Sequence, residues 1–239
     1  MQLLTHYHSD HVSCVADIWL TGWLESHFGT RKTPYRVIGP TGAKRLMENL
    51  ERAYADDIKI RVADEKLPLS GIAVDVSEYD RDGVVHDKNG VRVIAFEVDH
   101  GDVIKPCYGY RFEYGGRVAV LSSDTRYNQN VIKHGMGADL LVHEVASARP
   151  VLMKEAYIQR IIAHHTTPYD CGRVFAQTRP KLAAFTHIVQ LASPTIPPSS
   201  LDDMMAEARK TYDGPLEMGE DLMSFEIGET VTVKRLMPK

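Results

Sequence analysis

The sequence contains few cysteines, and their arrangement excludes one class of protein. Cys14, Cys107 and Cys171 are odd in number, widely separated and include no C-x-x-C pair. Disulfide-stabilised scaffolds depend on closely spaced, paired cysteines, so this pattern indicates a reducing compartment instead. We therefore expect three thiols in or near the core.

The chain also lacks long apolar runs and an excess of positive charge. No stretch approaches the ~20 apolar residues of a membrane span, and the N-terminus lacks the basic and apolar regions of a signal peptide. The formal net charge is -4, so no bulk field attracts nucleic acid or an anionic bilayer. These absences predict a cytoplasmic protein with no membrane partner.

The composition that remains is ordinary for a globular protein. The 239 residues are 44% hydrophobic and 25% charged, which is enough to bury a sizeable core. Because no repeat, low-complexity tract or linker divides the chain, we predict a single domain over residues 1–239.

The first dozen residues carry the densest chemical signal, an H-x-H-x-D-H motif after a short apolar strand. Alternate residues of an extended chain point the same way, so His6 and His8 can converge on one ion, while the following turn directs Asp10 and His11 toward another. The alternative is a polar strand end with solvated histidines. Crowding these partly cationic groups is unfavourable without a metal, and the ligand types suit zinc, with manganese or iron as alternatives.

The rest of the chain divides into a strand-rich stretch and a stretch in which strands alternate with helices. Periodicity predicts helices over residues 12–28 and 42–54, and strands over 35–38, 58–62, 72–76 and 91–98. A hairpin over 108–121 turns at Gly115 and Gly116. Later strands are predicted at 140–142, 182–185, 222–227 and 230–234, with helices at 128–134, 153–164, 169–178 and 201–212. This order favours sheets covered by helices.

Several later polar residues follow predicted strands, where binding residues tend to collect. Taken singly, each of them is better explained as a capping or solvated residue. Their repetition in a chain that opens with the H-x-H-x-D-H motif favours a shared metal site. These residues are His100, Asp124, His143 with Glu144, His187, and the pair His164 and His165.

The ordered set of motifs resembles the metallo-β-lactamase superfamily, and within it the ribonuclease Z and arylsulfatase-like branch. The resemblance rests on H-x-H-x-D-H, His100, the S-D-T around Asp124, H-E at His143, H-T-T at His165 and T-H at His187. It implies an α/β (α+β) fold, the four-layer αββα sandwich. Family members carry several strands before H-x-H-x-D-H, whereas this chain begins five residues before His6; we therefore expect an N-terminally truncated sandwich.

The resemblance also implies two divalent metal ions and a role for each site residue. His6, His8 and His100 would hold the first ion, Asp10, His11 and His187 the second, and Asp124 would bridge them. A metal-bridging hydroxide would attack the ester, with Asp10 orienting it, His165 protonating the leaving oxygen and Glu144 orienting His165.

The expected reaction is hydrolysis of a small phosphodiester or sulfate ester. Short bacterial ribonuclease Z enzymes insert a long, basic, Gly-rich arm where this chain has only the hairpin at Gly115. With the acidic net charge, that difference leads us to predict a small-molecule ester substrate, no role for transfer RNA, and a homo-oligomer. The alternatives are lactone or β-lactam hydrolysis on the same metals, or a non-catalytic remnant serving as a binding subunit.

Overall fold

A computed structural model describes residues 1–25, 27 and 29–236. The chain forms two compact units, an N-terminal unit over Met1–Asp80 and a C-terminal unit over Arg81–Lys239. Each unit has its own hydrophobic core. The single domain over residues 1–239 stays a prediction.

The N-terminal unit is a small parallel sheet with helices. Its strands pair in the order β1-β2-β3, all parallel. The strands are β1 (Gln2–Leu3), β2 (Tyr35–Pro40) and β3 (Val74–Tyr79), and the helices are α1 (Ser9–Val12), α2 (Val15–Thr21), α3 (Ala43–Ala53), α4 (Ala55–Asp64) and α5 (Leu69–Ile72).

Two buried tryptophans and one arginine organise this unit's core. The indole N–H of Trp19 donates to the carbonyl of Ile72 at 2.8 Å, and that of Trp23 donates to Pro68 at 2.9 Å. Arg31 donates to the carbonyls of Trp19 and Gly71. Buried polar groups are costly unless they are hydrogen-bonded, so these contacts fix how α2 packs on the segment around α5.

The helix predictions of this unit are partly wrong. Residues 58–62 were expected as a strand but lie in α4, because Ile58 and Val62 are four residues apart and share one partly buried helical face. The helix predicted over 12–28 is interrupted after α1 and ends at Thr21, and Phe28 lies outside the described residues.

The turn before α3 is capped by Glu78, whose carboxylate accepts from the N–H groups of Gly42 and Lys44 at 2.8 Å.

The C-terminal unit contains a seven-stranded mixed sheet in the order β10-β9-β8-β7-β6-β5-β4. Antiparallel pairing joins β4 through β7, and parallel pairing joins β7 through β10. The strands are β4 (Gly83–Lys88), β5 (Val91–Glu97), β6 (Tyr108–Tyr114), β7 (Arg117–Leu121), β8 (Leu140–Ala148), β9 (Leu182–Leu191) and β10 (Leu216–Met218), followed by a hairpin of β11 (Ser224–Ile227) and β12 (Val231–Lys234).

Helices of this unit pack against the sheet and bury its apolar side chains. They are α6 (Gln129–Gly135), a 3-10 helix (Pro150–Lys154), α7 (Ala156–Ile162), α8 (Pro168–Thr178) and α9 (Leu201–Arg209). Phe175 of α8 and Phe185 of β9 pack with ring centroids 5.7 Å apart in the middle of this core. The predicted hairpin has the expected bounds, and β4 and β10 were missed.

Strands β8 and β9 are longer than predicted, and the difference changes where two site residues lie. The prediction ended β8 at Val142 and β9 at Phe185, but the two strands pair in parallel to Ala148 and Leu191. His143 and Glu144 therefore lie within β8, and His187 within β9. Glu144 is paired with Thr186 and Val145 with Ile188, so His187 is the extra residue of a β-bulge, a feature that redirects a side chain.

Two sequence predictions concern the cysteines and membrane segments. Cys107 and Cys171 are buried, whereas Cys14 is exposed, so its placement near the core is wrong. None of the helices in the described residues is both long and apolar enough to cross a bilayer.

Candidate metal centre

The N-terminal unit places the four residues of the H-x-H-x-D-H motif on one turn, here named the loop cluster: His6, His8, Asp10 and His11. His8 is the extended residue before α1, and Asp10 and His11 lie inside that helix. The His6 ring centroid lies 4.8 Å from that of His8 and 4.2 Å from that of His11. His11 Nε2 and Asp10 Oδ2 are 3.4 Å apart. Local chain geometry thus brings all four side chains together on one turn.

Neighbouring residues hold this loop in place. The Tyr7 hydroxyl donates to the Pro40 carbonyl at 2.5 Å, and the Thr5 hydroxyl lies 3.0 Å from His6 Nδ1. Gly42 has a φ of +115°, and a Cβ there would meet the Tyr7 ring at 3.0 Å. A glycine is therefore needed where the Tyr7 ring crosses the turn before α3.

The C-terminal unit gathers a second group, here named the sheet cluster: His100, Asp124, Glu144, His165 and His187. Asp124 is its centre, with Oδ2 lying 3.7 Å from His100 Nε2 and 3.4 Å from His187 Nε2. Ligand atoms of His100, Asp124 and His165 lie within 4.8 Å of one another, as do those of Glu144, His165 and His187. The sheet thus brings together residues that lie far apart in sequence.

One residue of the sheet cluster has a left-handed backbone, and another directly follows such a residue. Ser123, immediately before Asp124, has a φ of 61°, and His187 has a φ of 44°. Non-glycine residues adopt this conformation only where their surroundings enforce it, and such residues concentrate at functional sites. The Thr125 hydroxyl braces the turn by donating to the Asp99 carbonyl at 3.2 Å.

Hydrogen bonding identifies which nitrogen of His100 can bind a metal. Its Nδ1 lies 2.8 Å from the carbonyl oxygen of His164. A carbonyl can only accept, so Nδ1 carries a proton, and Nε2, which faces Asp124, is the nitrogen left to bind a metal in the neutral ring. A backbone carbonyl that orients a ligating imidazole is a common outer support of metal sites. An imidazole nitrogen on either side of a buried carboxylate is a donor set that fits a divalent transition metal.

His165 pairs with the buried Glu144 within the same cluster. Glu144 Oε2 lies 3.1 Å from His165 Nδ1, and Oε1 accepts from the N–H of Thr166 at 2.7 Å. Burial raises the pKa of Glu144, and the interactions with His165 and Thr166 oppose that rise. The carboxylate therefore fixes the orientation of the His165 ring.

Sequence reasoning missed several supporting residues and misjudged one. Arg126 donates through Nε to the Ala163 carbonyl at 2.7 Å, which ties the segment after Asp124 to the segment before His165. The Ser122 hydroxyl accepts from the N–H of Glu144 at 3.0 Å. Only the adjacency of these residues to the motifs could have indicated them. His143 instead faces the core, where burial lowers its pKa to about 4.

Comparison with known proteins places this geometry in a family. The beta-lactamase superfamily domain matches residues 3–188. The chain belongs to the metallo-β-lactamase superfamily of metal-dependent hydrolases, whose fold implies divalent metal ions. Ribonuclease Z of Mycolicibacterium gilvum (strain PYR-GCK) is 32% identical over 235 residues, which cover 97% of this chain and 79% of that protein. Putative ribonuclease Z of Mycobacterium tuberculosis is 29% identical over 226 residues, which cover 94% of this chain and 98% of that protein.

Solved structures agree on the fold. The metallo-beta-lactamase fold protein YhfI from Bacillus subtilis superposes with a TM-score of 0.61 at 15% identity, covering 91% of this chain and 74% of that one. The short form of human tRNase Z superposes with a TM-score of 0.58 at 21% identity, covering 79% of this chain and 72% of that one. The predicted α/β class and family are confirmed.

These comparisons overturn one prediction. We expected transfer RNA to be excluded as a partner, but the sequence relatives are named ribonuclease Z and a protein of the same fold is named tRNase Z. The error came from treating the net charge and one short hairpin as decisive. Net charge describes the whole surface, whereas cleavage depends on the groups around the scissile bond.

Proposed function

We propose that this protein is a metal-dependent phosphodiesterase whose substrates include RNA. The observation that carries the proposal is the pairing of His165 with the buried Glu144 beside Asp124, which positions an acid next to a candidate metal ligand. The relatives named ribonuclease Z support a phosphodiester as the bond that is cleaved.

The proposed ligands are those that the family resemblance implies. One divalent ion would be held by His6, His8 and His100. The second would be held by Asp10, His11 and His187, and Asp124 would contact both ions. Zinc is the proposed metal. When bound, such ions lower the pKa of water and neutralise charge that develops on the phosphoryl oxygens. The compactness of the loop cluster and the placement of Asp124 beside two Nε2 atoms support this assignment.

The protein's own groups then manage the proton on the leaving oxygen. Because the Glu144 carboxylate faces His165 Nδ1, the opposite ring nitrogen, Nε2, is the atom from which a proton can reach the substrate. A leaving alcohol with a high pKa needs that proton, since it departs poorly as an alkoxide. Asp10, exposed on the loop cluster, is the second proposed catalytic residue and would orient the attacking water.

The test is a substrate panel with defined metals. The chain is stripped with chelator, reloaded with zinc, manganese or iron, and given a 3′-extended RNA, bis(p-nitrophenyl) phosphate, an aryl sulfate, a lactone and a β-lactam. We expect metal-dependent cleavage of the RNA and the phosphodiester. Cleavage confined to the lactone or β-lactam, or equal rates with and without metal, would contradict the proposal.

A small phosphodiester is the second candidate, and one observation favours it. Strands β6 and β7 join directly across Gly115 and Gly116, so no arm extends from this hairpin to hold a distant part of a large substrate. In the same panel, a higher kcat/KM for small diesters than for RNA would select this candidate.

A further inference from the structure

A cavity of about 620 Å³ lies within the C-terminal unit, next to the loop that carries His165. Two of its lining residues, Ile162 and Thr167, flank that loop in sequence. Another wall is the end of β8, the strand that carries Glu144. The cavity therefore shares its supports with the Glu144–His165 pair, although neither residue lines it.

The walls of this cavity are mainly apolar and include one aromatic ring. Tyr169 is 46% exposed at the start of α8, so one part of its ring is accessible. Met153 provides a side chain that adapts to ligand shape. The volume falls within the range of about 300–1,000 Å³ that is usual for small-molecule sites. Smaller apolar groups complete the walls: Ala146, Ala148, Pro150, Ile162, Pro168 and Ala206.

The charges around the cavity argue against an anionic ligand. Among the described lining residues, Arg149 is the one cation, and Asp203 and Glu207 are carboxylates. The Nε of Arg149 already donates to the carbonyls of Pro197 and Pro198 at 3.0 and 3.2 Å. Glu207 is paired with Lys210, and Asp203 accepts from the N–H of Ser200. The described lining residues therefore offer a phosphate only Arg149 and offer a cation only carboxylates that already have partners, so the group that fits is uncharged.

The backbone of β8 adds a polar edge to this apolar space. The N–H of Ala146 donates to the Thr166 carbonyl at 3.0 Å, away from β9. Alternate residues of a strand direct their N–H and C=O groups to the same side, so those of Ala148 point to this edge as well. The described part of β7 pairs with β8 only as far as Val142. A donor and an acceptor side by side can recognise the edge of a planar heterocycle.

We propose that this cavity binds one nucleobase of a nucleotide substrate, stacked against Tyr169 and hydrogen-bonded by the Ala148 backbone. This inference rests on the proposed phosphodiesterase function and names the part of the substrate that the enzyme holds beside His165. The base is the uncharged, planar and polar-edged part of a nucleotide, and its phosphate lies outside the cavity.

The first test measures binding without catalysis. Adenosine, guanosine, cytidine and uridine are titrated into the full-length chain by calorimetry, with and without zinc. The variant Ala206→Phe fills the cavity from an exposed position on α9, and Tyr169→Ala removes the aromatic wall. We expect at least one nucleoside to bind, and both variants to weaken it by about 5- to 100-fold, the usual effect of losing a base-stacking side chain.

Matched controls change the same residue types elsewhere. Ala53→Phe places a ring on an exposed position of α3, and Tyr157→Ala removes an exposed ring of α7; neither residue lines the cavity. Both controls should bind the nucleoside like the parent chain. The proposal is overturned if none of the four nucleosides binds, or if folded Ala206→Phe binds as the parent does.

A kinetic test separates this proposal from the proposed function. Thymidine 5′-(p-nitrophenyl) phosphate carries a base, and methyl p-nitrophenyl phosphate has none. Ala206→Phe should lower kcat/KM about 5- to 100-fold for the first substrate and leave the second unchanged. Hydrolysis of both with equal sensitivity to Ala206→Phe would reject the base site and keep the phosphodiesterase. If nucleosides bind with the expected variant pattern but neither substrate is hydrolysed, the base site is kept and the phosphodiesterase function is rejected.

Discussion

The loop cluster and the sheet cluster reach a similar chemical composition by different routes. The loop cluster takes its residues from one turn of six consecutive residues, 6–11, and 63% of the Asp10 side chain is exposed. The sheet cluster takes its residues from separate strands and loops, and Asp124 keeps only 3% of its side chain exposed. A local turn therefore places an exposed Asp10 beside a fully buried His6 among the candidate metal ligands, whereas the buried Asp124 depends on strands and loops that are distant in sequence.

The supports of the two clusters differ in the same way. Backbone groups and a buried carboxylate orient the histidines of the sheet cluster, through His164 for His100 and through Glu144 for His165. The loop cluster depends on shorter-range contacts of Thr5 and Tyr7. Since buried, hydrogen-bonded networks are rigid, we expect the sheet cluster to govern metal retention and the loop cluster to be more tolerant.

The largest effect is expected from the centre of the sheet cluster. Asp124→Ala removes the carboxylate proposed to serve both ions, so it should lower metal content and activity more than any single histidine substitution, and by more than the 10- to 100-fold that is typical of outer supports. The number of metal ions per chain is measured by mass spectrometry after dialysis and compared with that of His8→Ala, a variant of the loop cluster. The control is Asp213→Ala, an exposed carboxylate. Equal metal loss in Asp124→Ala and His8→Ala would remove the contrast between the clusters.

The next effect separates acid from ligand inside the sheet cluster. His165→Ala should keep its metal and lose about 10²- to 10⁴-fold in turnover on diesters with poor leaving groups. Diesters with good leaving groups should lose less, because they depart without a proton. His86→Ala on β4 is the control. A uniform loss across leaving groups would make His165 a positioning residue, and loss of metal would make it a ligand.

A smaller effect concerns the sheet beneath this cluster. Asp139 accepts from the N–H of Val118 at 2.7 Å and pairs with Lys181 at 2.7 Å, which joins the starts of three strands. Asp139→Asn should lower the free energy of unfolding by about 1–2 kcal/mol, because a charge-assisted hydrogen bond is weakened. Denaturant titration at neutral pH measures the change, with exposed Asp87→Asn as the control.

The same variant gives a pH test with a defined sign. Burial raises the pKa of Asp139, but its bonds to Lys181 and Val118 outweigh burial and hold the pKa below the usual value. A carboxyl group whose pKa is lower in the folded than in the unfolded state stabilises the protein at a pH above its unfolded-state pKa of about 4. This contribution is lost as the pH falls through the folded-state pKa. The difference between parent and Asp139→Asn should therefore shrink below about pH 4; a constant difference would contradict this account.

The smallest effect is expected in the support of the loop cluster. Tyr7→Phe removes the hydroxyl that donates to Pro40, leaves the ring packing against Gly42, and should cost about 0.5–1.5 kcal/mol of stability. Zinc competition titration should show weaker binding, by about 10-fold or less. Exposed Tyr54→Phe is the control. No change in either measurement would show that the turn holds itself without this bond.

Motif residues were predictable from sequence, whereas element boundaries around them often were not. Residues 58–62 were mistaken for a strand because a short β-branched run fits both periods, and only the face that packs decides between them. Strand β8 was ended at Val142 because His143 and Glu144 are polar, yet pairing with β9 carries it on to Ala148. Pairing partners distant in sequence are invisible to a local pattern.

By itself, the sequence determined the family, through the order of its motifs, and the loop cluster, because six consecutive residues need only local turn geometry to converge. Tertiary structure alone decided the rest. The parallel pairing of β8 with β9 places the His187 bulge, the His164 carbonyl selects the His100 tautomer, and α8, α9 and β8 enclose the cavity beside His165. These features depend on contacts between residues that are tens of positions apart, and the free energy of packing, rather than local propensity, determines which contacts form.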